Sequence, residues 1–272
     1  GFVTEGFTTY FGDYFLKTGG NFTQNEYLKE LNTLLKRHFE NYGRTKSSLI
    51  SSSENLWING YQNLVPSNKV SIYIKGALCA LILDLTIRKH TKHEKSLIDV
   101  MQSMLSKYTW DQDGYSKEDV FALLKNYGSK PVMSSLLPAL YESTQDLSSL
   151  LNDGLDFVGL TLTPARHPNE VTASLGIKLL NHQIIEIAPD SPAYTELSIG
   201  DELISINDQT ENLESAIENG TNTLNLLRRA QRASIKLERN NQHYFNSYRV
   251  DPLQNPSTEQ RQNLSLWLEN ND

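Results

Sequence analysis

Val70-Ser71-Ile72-Tyr73-Ile74-Lys75-Gly76-Ala77-Leu78-Cys79-Ala80-Leu81-Ile82-Leu83-Asp84-Leu85-Thr86-Ile87-Arg88-Lys89 is the most apolar stretch of the chain, and its reading decides the fold class. Its apolar positions are nearly continuous, which predicts a helix buried on most of its sides. The longest unbroken part, Gly76 to Leu85, is interrupted only by Asp84 and is too short to span a bilayer. A helix of this kind needs other helices around it, and the flanking sequence supplies them.

Upstream, Glu5 to Leu16 places Phe7, Tyr10, Phe11, Tyr14 and Phe15 at spacings of three and four, an apolar helical face that Lys17-Thr18-Gly19-Gly20 ends. Thr23-Gln24-Asn25-Glu26 is a capping box, and Tyr27, Leu28, Leu31, Leu34, Leu35 and Phe39 form the stripe of the helix it opens. Gly43 to Asn68 is polar and rich in serine. It reads as a long loop with short elements, anchored by Trp57 and Tyr61. Downstream, Ser96-Leu97-Ile98-Asp99 and Ser116-Lys117-Glu118-Asp119 open two more helices, the second ending near Gly128. Leu136 to Tyr141 reads as a short helix or turn.

From Leu155 the periodicity changes. Phe157–Thr163, Gly176–Leu180, Gln183–Ile187, Glu202–Ile206, Ser234–Glu238 and His243–Tyr248 are short strand candidates separated by turn residues, with one helix expected over Asn222–Arg232. This pattern predicts a small, partly open barrel. A last helix is expected over Thr258–Leu268. The expected organisation is thus a helical domain over residues 1–150, a strand-rich domain over 154–250 and a tail with a C-terminal helix over 251–272.

The 272 residues are 38% hydrophobic, enough for packed cores, and the mean hydropathy is -0.45. A net charge of -7 without a basic stripe argues against a nucleic-acid partner, and no segment reads as a membrane span. Cys79 is the only cysteine, so no disulfide can form within the chain. Its place in the apolar helix marks it as a core residue rather than a nucleophile. The opening Gly1-Phe2-Val3 shows neither an initiator methionine nor a signal-peptide pattern and reads as the start of a fragment. The compartment, cytoplasm or periplasm, stays open.

The strand-rich part carries Ser174-Leu175-Gly176-Ile177, Ile184-Ile185-Glu186-Ile187, Asp190-Ser191-Pro192-Ala193, Leu197, Gly200-Asp201-Glu202-Leu203-Ile204 and Ile206-Asn207 in that order. The series resembles a PDZ domain of the kind attached to bacterial proteases. The resemblance implies a loop at Ser174, Leu175, Gly176 and Ile177 whose N–H groups receive the C-terminal carboxylate of a peptide. It also implies an open strand edge at Ile177–Leu180, with Asn222–Arg232 as the other wall of the groove. A purely packing role for this domain remains equally open.

Glu5-Gly6-Phe7-Thr8 and Tyr73-Ile74-Lys75-Gly76-Ala77 resemble segments of the gluzincin, aminopeptidase N-like enzymes. With Ser71 to Arg88, Ser96 to Met101 and Gly114 to Asp119, they resemble the glycyl aminopeptidase family of zinc metallopeptidases. The resemblance implies the C-terminal part of a thermolysin-like catalytic domain followed by the PDZ-like barrel. Glu5 matches the third zinc ligand and Tyr73 the tyrosine that donates to the tetrahedral oxyanion. The implied reaction is release of an N-terminal glycine or alanine from a peptide substrate.

Judged by residue type alone, Glu5 is a first-turn helix carboxylate and Tyr73 a half-buried tyrosine at a helix start. The chain also departs from the family in having no H-E-x-x-H. Its histidines are His38, His90, His93, His167, His182 and His243, and the His90/His93 pair reads as solvated. The expectation is zinc in the intact parent, none in this fragment, and no activity of the fragment alone. The N-terminal half of the protein, bearing the histidines, would lie outside it. The surface that half leaves would carry an apolar patch through which two copies could associate. A non-catalytic PDZ adaptor on a helical scaffold is the alternative. Asp111-Gln112-Asp113-Gly114 does not complete a calcium loop.

Overall fold

The computed structural model describes residues 1–56, 67–108 and 114–269. Trp57, Tyr61 and the Asp111-Gln112-Asp113 run lie outside the described residues.

The helical part is built from α1 (Phe2–Thr18), α2 (Gln24–Phe39), a 3₁₀ turn (Tyr42–Thr45), α3 (Leu49–Glu54), α4 (Ile74–Thr91), α5 (Leu97–Lys107), α6 (Lys117–Tyr127), α7 (Lys130–Tyr141) and α8 (Ser148–Phe157). Capping boxes at Thr23, Ser96 and Ser116 start α2, α5 and α6, as their sequences require. The helix α7 is longer than the expected Leu136–Tyr141. Pro131 sits in its first turn, where its missing N–H costs nothing, and Pro138 is carried inside the helix.

The apolar stretch forms α4, buried over almost its whole length. It runs alongside α1 in the same direction, and two glycines set how close they come. A Cβ added to Gly6 would lie 2.6 Å from the Gly76 Cα, and one added to Gly76 would lie 2.6 Å from the Gly6 Cα. Farther along, Asp84 is the single carboxylate in the apolar run and is 1% exposed. It accepts from Tyr10 Oη at 2.7 Å, Arg88 Nε at 3.0 Å and the Leu97 N–H at 2.8 Å. Arg88 also donates to Tyr14 Oη and to the Leu266 carbonyl, and Trp267 Nε1 donates to Tyr10 Oη. One buried network thereby joins α1, α4, the start of α5 and the C-terminal helix α10 (Thr258–Leu268).

The remaining elements are β1 (Leu160–Ala165), α9 (Glu170–Leu175), β2 (Ile177–Leu180), β3 (Gln183–Ile187), β4 (Glu202–Ile206), β5 (Thr221–Arg228), β6 (Gln231–Glu238) and β7 (Ser247–Pro252). They do not close into the expected barrel. β2 to β6 form an open antiparallel sheet in chain order, while β1 and β7 pair separately. Leu160, Leu162 and Val250 of the β1–β7 ribbon enter the helical core together with Trp267 and Leu268. Asn32 of α2 clamps the ribbon, its amide accepting from the Val250 N–H at 2.7 Å and donating to the Val250 carbonyl at 3.1 Å. A second core of Val171, Leu175, Ile177, Ile184, Leu203, Ile206, Leu224, Leu226 and Leu237 lies under the five-stranded sheet.

The expected helix over Asn222–Arg232 is instead most of a hairpin. Leu224 and Leu226 are buried with period two, and Arg229 and Ala230 both take positive φ, as a tight two-residue hairpin turn requires. Arg-Ala is not a common sequence for such a turn, which concealed it. Asn222 is fully buried. Its amide braces the preceding segment, accepting from the Glu218 N–H and donating to the Glu218 carbonyl. The last strand also starts later than expected, at Ser247 rather than His243. The Gly200-Asp201 motif is structural. Asp201 is 2% exposed, is bound by Arg228 through Nε and Nη2, and accepts from the Ser198 N–H.

Three outcomes test this packing by urea denaturation. Gly6→Ala has no room for its methyl and should lower stability by about 1–3 kcal/mol or more. Gly12→Ala, where an added Cβ meets nothing within 4 Å, should raise it by about 0.5–1 kcal/mol. Asp84→Asn leaves Arg88 buried without its charge partner and should cost about 3–5 kcal/mol.

Candidate functional site

Glu5 and Tyr73 lie near the amino ends of the two helices that the glycine contact joins. Glu5 precedes Gly6 in the first turn of α1, is half-buried, and no hydrogen bond or ion pair engages its carboxylate among the described residues. Its backbone carbonyl is used locally, accepting from the hydroxyls of Thr8 and Thr9. Tyr73 caps α4 and is 39% exposed. Thr4, one residue before Glu5, bonds the Tyr115 hydroxyl across the same end of the helical part at 3.1 Å.

A catalytic zinc is held by three protein ligands. Among the described residues no group of three His, Cys, Asp or Glu side chains could hold a metal ion. One carboxylate does not fit that requirement, so the described residues make no zinc site by themselves. His93, expected to be solvated, stacks on Phe157 at 5.2 Å and bonds Asn263 at 3.2 Å, whereas His90 is exposed. Its ring is drawn in because Lys92 and His93 both adopt positive φ at the end of α4, turning the chain back on the helix. Cys79 is fully buried, its thiol pushed up to about 12 by burial, in keeping with a core role.

Next to Ile74, the neighbour of Tyr73, opens a cleft of about 730 Å³ that no motif marked. Its floor is the end of α2 and the start of α4, and its far wall is the β2–β3 hairpin. Lys178 of β2 bridges the two parts, with Nζ 3.2 Å from Glu40 and 3.4 Å from Glu186, and 4.4 Å from the centre of the Phe245 ring. Tyr42 completes the junction, packing edge-on against Phe245 and accepting from its N–H. His38 faces this cleft from the buried side of α2. Burial first, then the nearby charges of Lys75 and Arg44, push its pKa down to about 3.

The expected carboxylate loop is arranged differently from an open nest of N–H groups. Ser174 and Leu175 form the last turn of α9, and all of Ser174, Leu175, Gly176 and Ile177 are buried. Gly176, at φ 73°, caps the helix, with its N–H donating to the Thr172 carbonyl. The residues that face β2 from across a groove of about 590 Å³ are instead Leu213 and Glu214, in the segment before Asn222.

The family model of M61 glycyl aminopeptidase matches residues 1–79, which contain α1, Glu5, Tyr73 and the glycine contact. Residues 1–79 are thus similar to the M61 glycyl aminopeptidase family. A crystal structure of an aminopeptidase N family protein from Idiomarina loihiensis is similar over 98% of the chain, with a TM-score of 0.82 and 28% sequence identity. The chain spans 48% of that protein's length. No curated protein matches.

The His38 environment yields a pH dependence. In the unfolded chain His38 takes up a proton below about 6.5, while the folded imidazole stays neutral down to about 3. Its contribution is therefore fully present above pH 6.5 and is lost as pH falls, by about 1.4 kcal/mol per unit. Urea midpoints should drop from pH 7 to pH 5 in the wild type, with a shallower slope in His38→Gln. An imidazole that titrates near 6.5 by NMR would remove this explanation.

Proposed function

We propose that the chain is the C-terminal part of a zinc-dependent aminopeptidase that releases glycine or alanine from peptide amino termini, continued by a PDZ-like sheet module. The observation that carries the reading is the Gly6–Gly76 contact. It joins the helix that carries Glu5, whose carboxylate has no partner among the described residues, to the helix that Tyr73 opens, within the residues that match the family model. On this reading Glu5 contributes one oxygen ligand to a metal whose other ligands come from sequence beyond this chain. Tyr73 donates its O–H to the oxygen that becomes an oxyanion when the peptide carbonyl is attacked, which stabilises charge only as it develops. The Lys178–Glu40 junction holds the sheet module against the helices and so fixes the wall of the adjoining cleft.

The PDZ-like assignment is supported by the order of β2 to β6 and by the groove beside β2. A non-catalytic peptide-binding adaptor is the second reading, and that groove is what favours it. In it an extended peptide would add to the free edge of β2, with little help from the capped Gly176.

The test uses the protein with its upstream sequence, purified with zinc and assayed on glycyl and alanyl peptides. Tyr73→Phe should lower kcat about 10²–10³-fold at unchanged metal content. Glu5→Gln should lower the zinc stoichiometry itself. Near-normal turnover in both variants would refute the peptidase roles and leave the adaptor.

A further inference from the structure

The cleft between α2, α4 and the β2–β3 hairpin has two unlike sides. The helical side is cationic. The cleft's two carboxylates, Glu40 at the end of α2 and Glu186 on β3, are both engaged by Lys178. Arg37 lies exposed on it with no hydrogen bond or ion pair among the described residues. Beneath the floor, Lys75 is 1% exposed, and among the described residues its ammonium meets only the Ser143 carbonyl, at 3.3 Å. Its charge is therefore balanced by no acid and adds to the potential at the cleft. The sheet side is apolar. Leu180, Ile185 and Ile199 line it and stay 60%, 40% and 53% exposed. Three large aliphatic side chains facing an uncompensated guanidinium suit a ligand that is apolar at one face and anionic at its end. The volume is that of a small-molecule or short-peptide site.

Ile74, the neighbour of Tyr73, also lines this cleft. A peptide whose amino end lay at Glu5 and Tyr73 would run its other end into it. Building on the peptidase reading, we propose that the cleft receives the carboxyl end of a short peptide substrate. The free α-carboxylate pairs with the Arg37 guanidinium, and the last, apolar side chain packs on Leu180, Ile185 and Ile199. The substrate class is then short peptides with a free carboxylate and an apolar final residue, rather than long chains. An Arg–carboxylate pair is charge-assisted and two-pronged, and replacing the carboxylate by an amide removes both the charge and the fork geometry.

The proposal is tested on the chain itself, without metal and without turnover, so that its failure is separate from failure of the peptidase reading. Binding of Gly-Gly-Phe-Leu as the free acid and as the C-terminal amide is measured by calorimetry. The acid should bind about tenfold or more tighter than the amide. Arg37→Glu should abolish that preference and Arg37→Lys should restore part of it, with urea midpoints unchanged because Arg37 is exposed. Leu180→Ser should weaken acid and amide alike. Equal binding of acid and amide, or a preference for the acid that survives Arg37→Glu, would overturn the proposal. The second result would assign the carboxylate to another site, such as the groove beside β2.

Discussion

The backbone contact between Gly6 and Gly76 is the constraint on which the rest of the molecule depends. No other pair of residues would let α1 and α4 come so near, because any Cβ at either position would meet main chain rather than a side chain able to move. From that point the two helices run together. On one side, toward their carboxyl ends, the Tyr10–Asp84 and Tyr14–Arg88 bonds hold the pair in register and bring in α10 through Trp267. On the other lie the helix ends that carry Glu5 and Tyr73, both at least partly exposed.

The buried Asp84–Arg88 pair shows why a charged group is tolerated in the most apolar helix. Its cost of desolvation is offset only because the carboxylate has three donors and the guanidinium three acceptors, counting the tyrosine hydroxyl and a carbonyl. The sheet module is attached by different means. Its core is separate from the helical one, and the junction rests on Lys178, Glu40, Tyr42 and Phe245. A junction made of a few polar and aromatic contacts around a cleft is weaker than a shared apolar core. It suits a wall that positions a ligand rather than one that stabilises the fold.

Much of the local structure was legible because short-range chemistry specifies it. The capping boxes at Thr23, Ser96 and Ser116, the strands Gln183–Ile187 and Glu202–Ile206, and the helix Thr258–Leu268 all lie where periodicity and caps put them. The errors arose where local chemistry is ambiguous. Thr221 to Arg228 holds leucines that fit either period, and the Arg229-Ala230 turn lacks the glycine or asparagine that would have marked it. Ser174-Leu175 could be loop or helix, and Asn169, whose side chain accepts from the Thr172 N–H, settled it as helix. The cleft could not be read at all, since Arg37, Lys75 and Ile185 come from three elements far apart in the chain.

The amino-acid sequence by itself determined the helical class of the first part, the strand-rich class of the second, and the likeness of residues 1–79 to the glycyl aminopeptidase family. These follow from periodicity, capping and motif order, which act over a few residues. Only the tertiary structure decided that the sheet stays open, that its flanking ribbon joins the helical core, and that a cationic floor faces an apolar wall next to Tyr73. Those outcomes depend on which buried surfaces meet. Two strands pair, or two charges face one cleft, only when the packing of distant segments brings them together, and no local pattern records that choice.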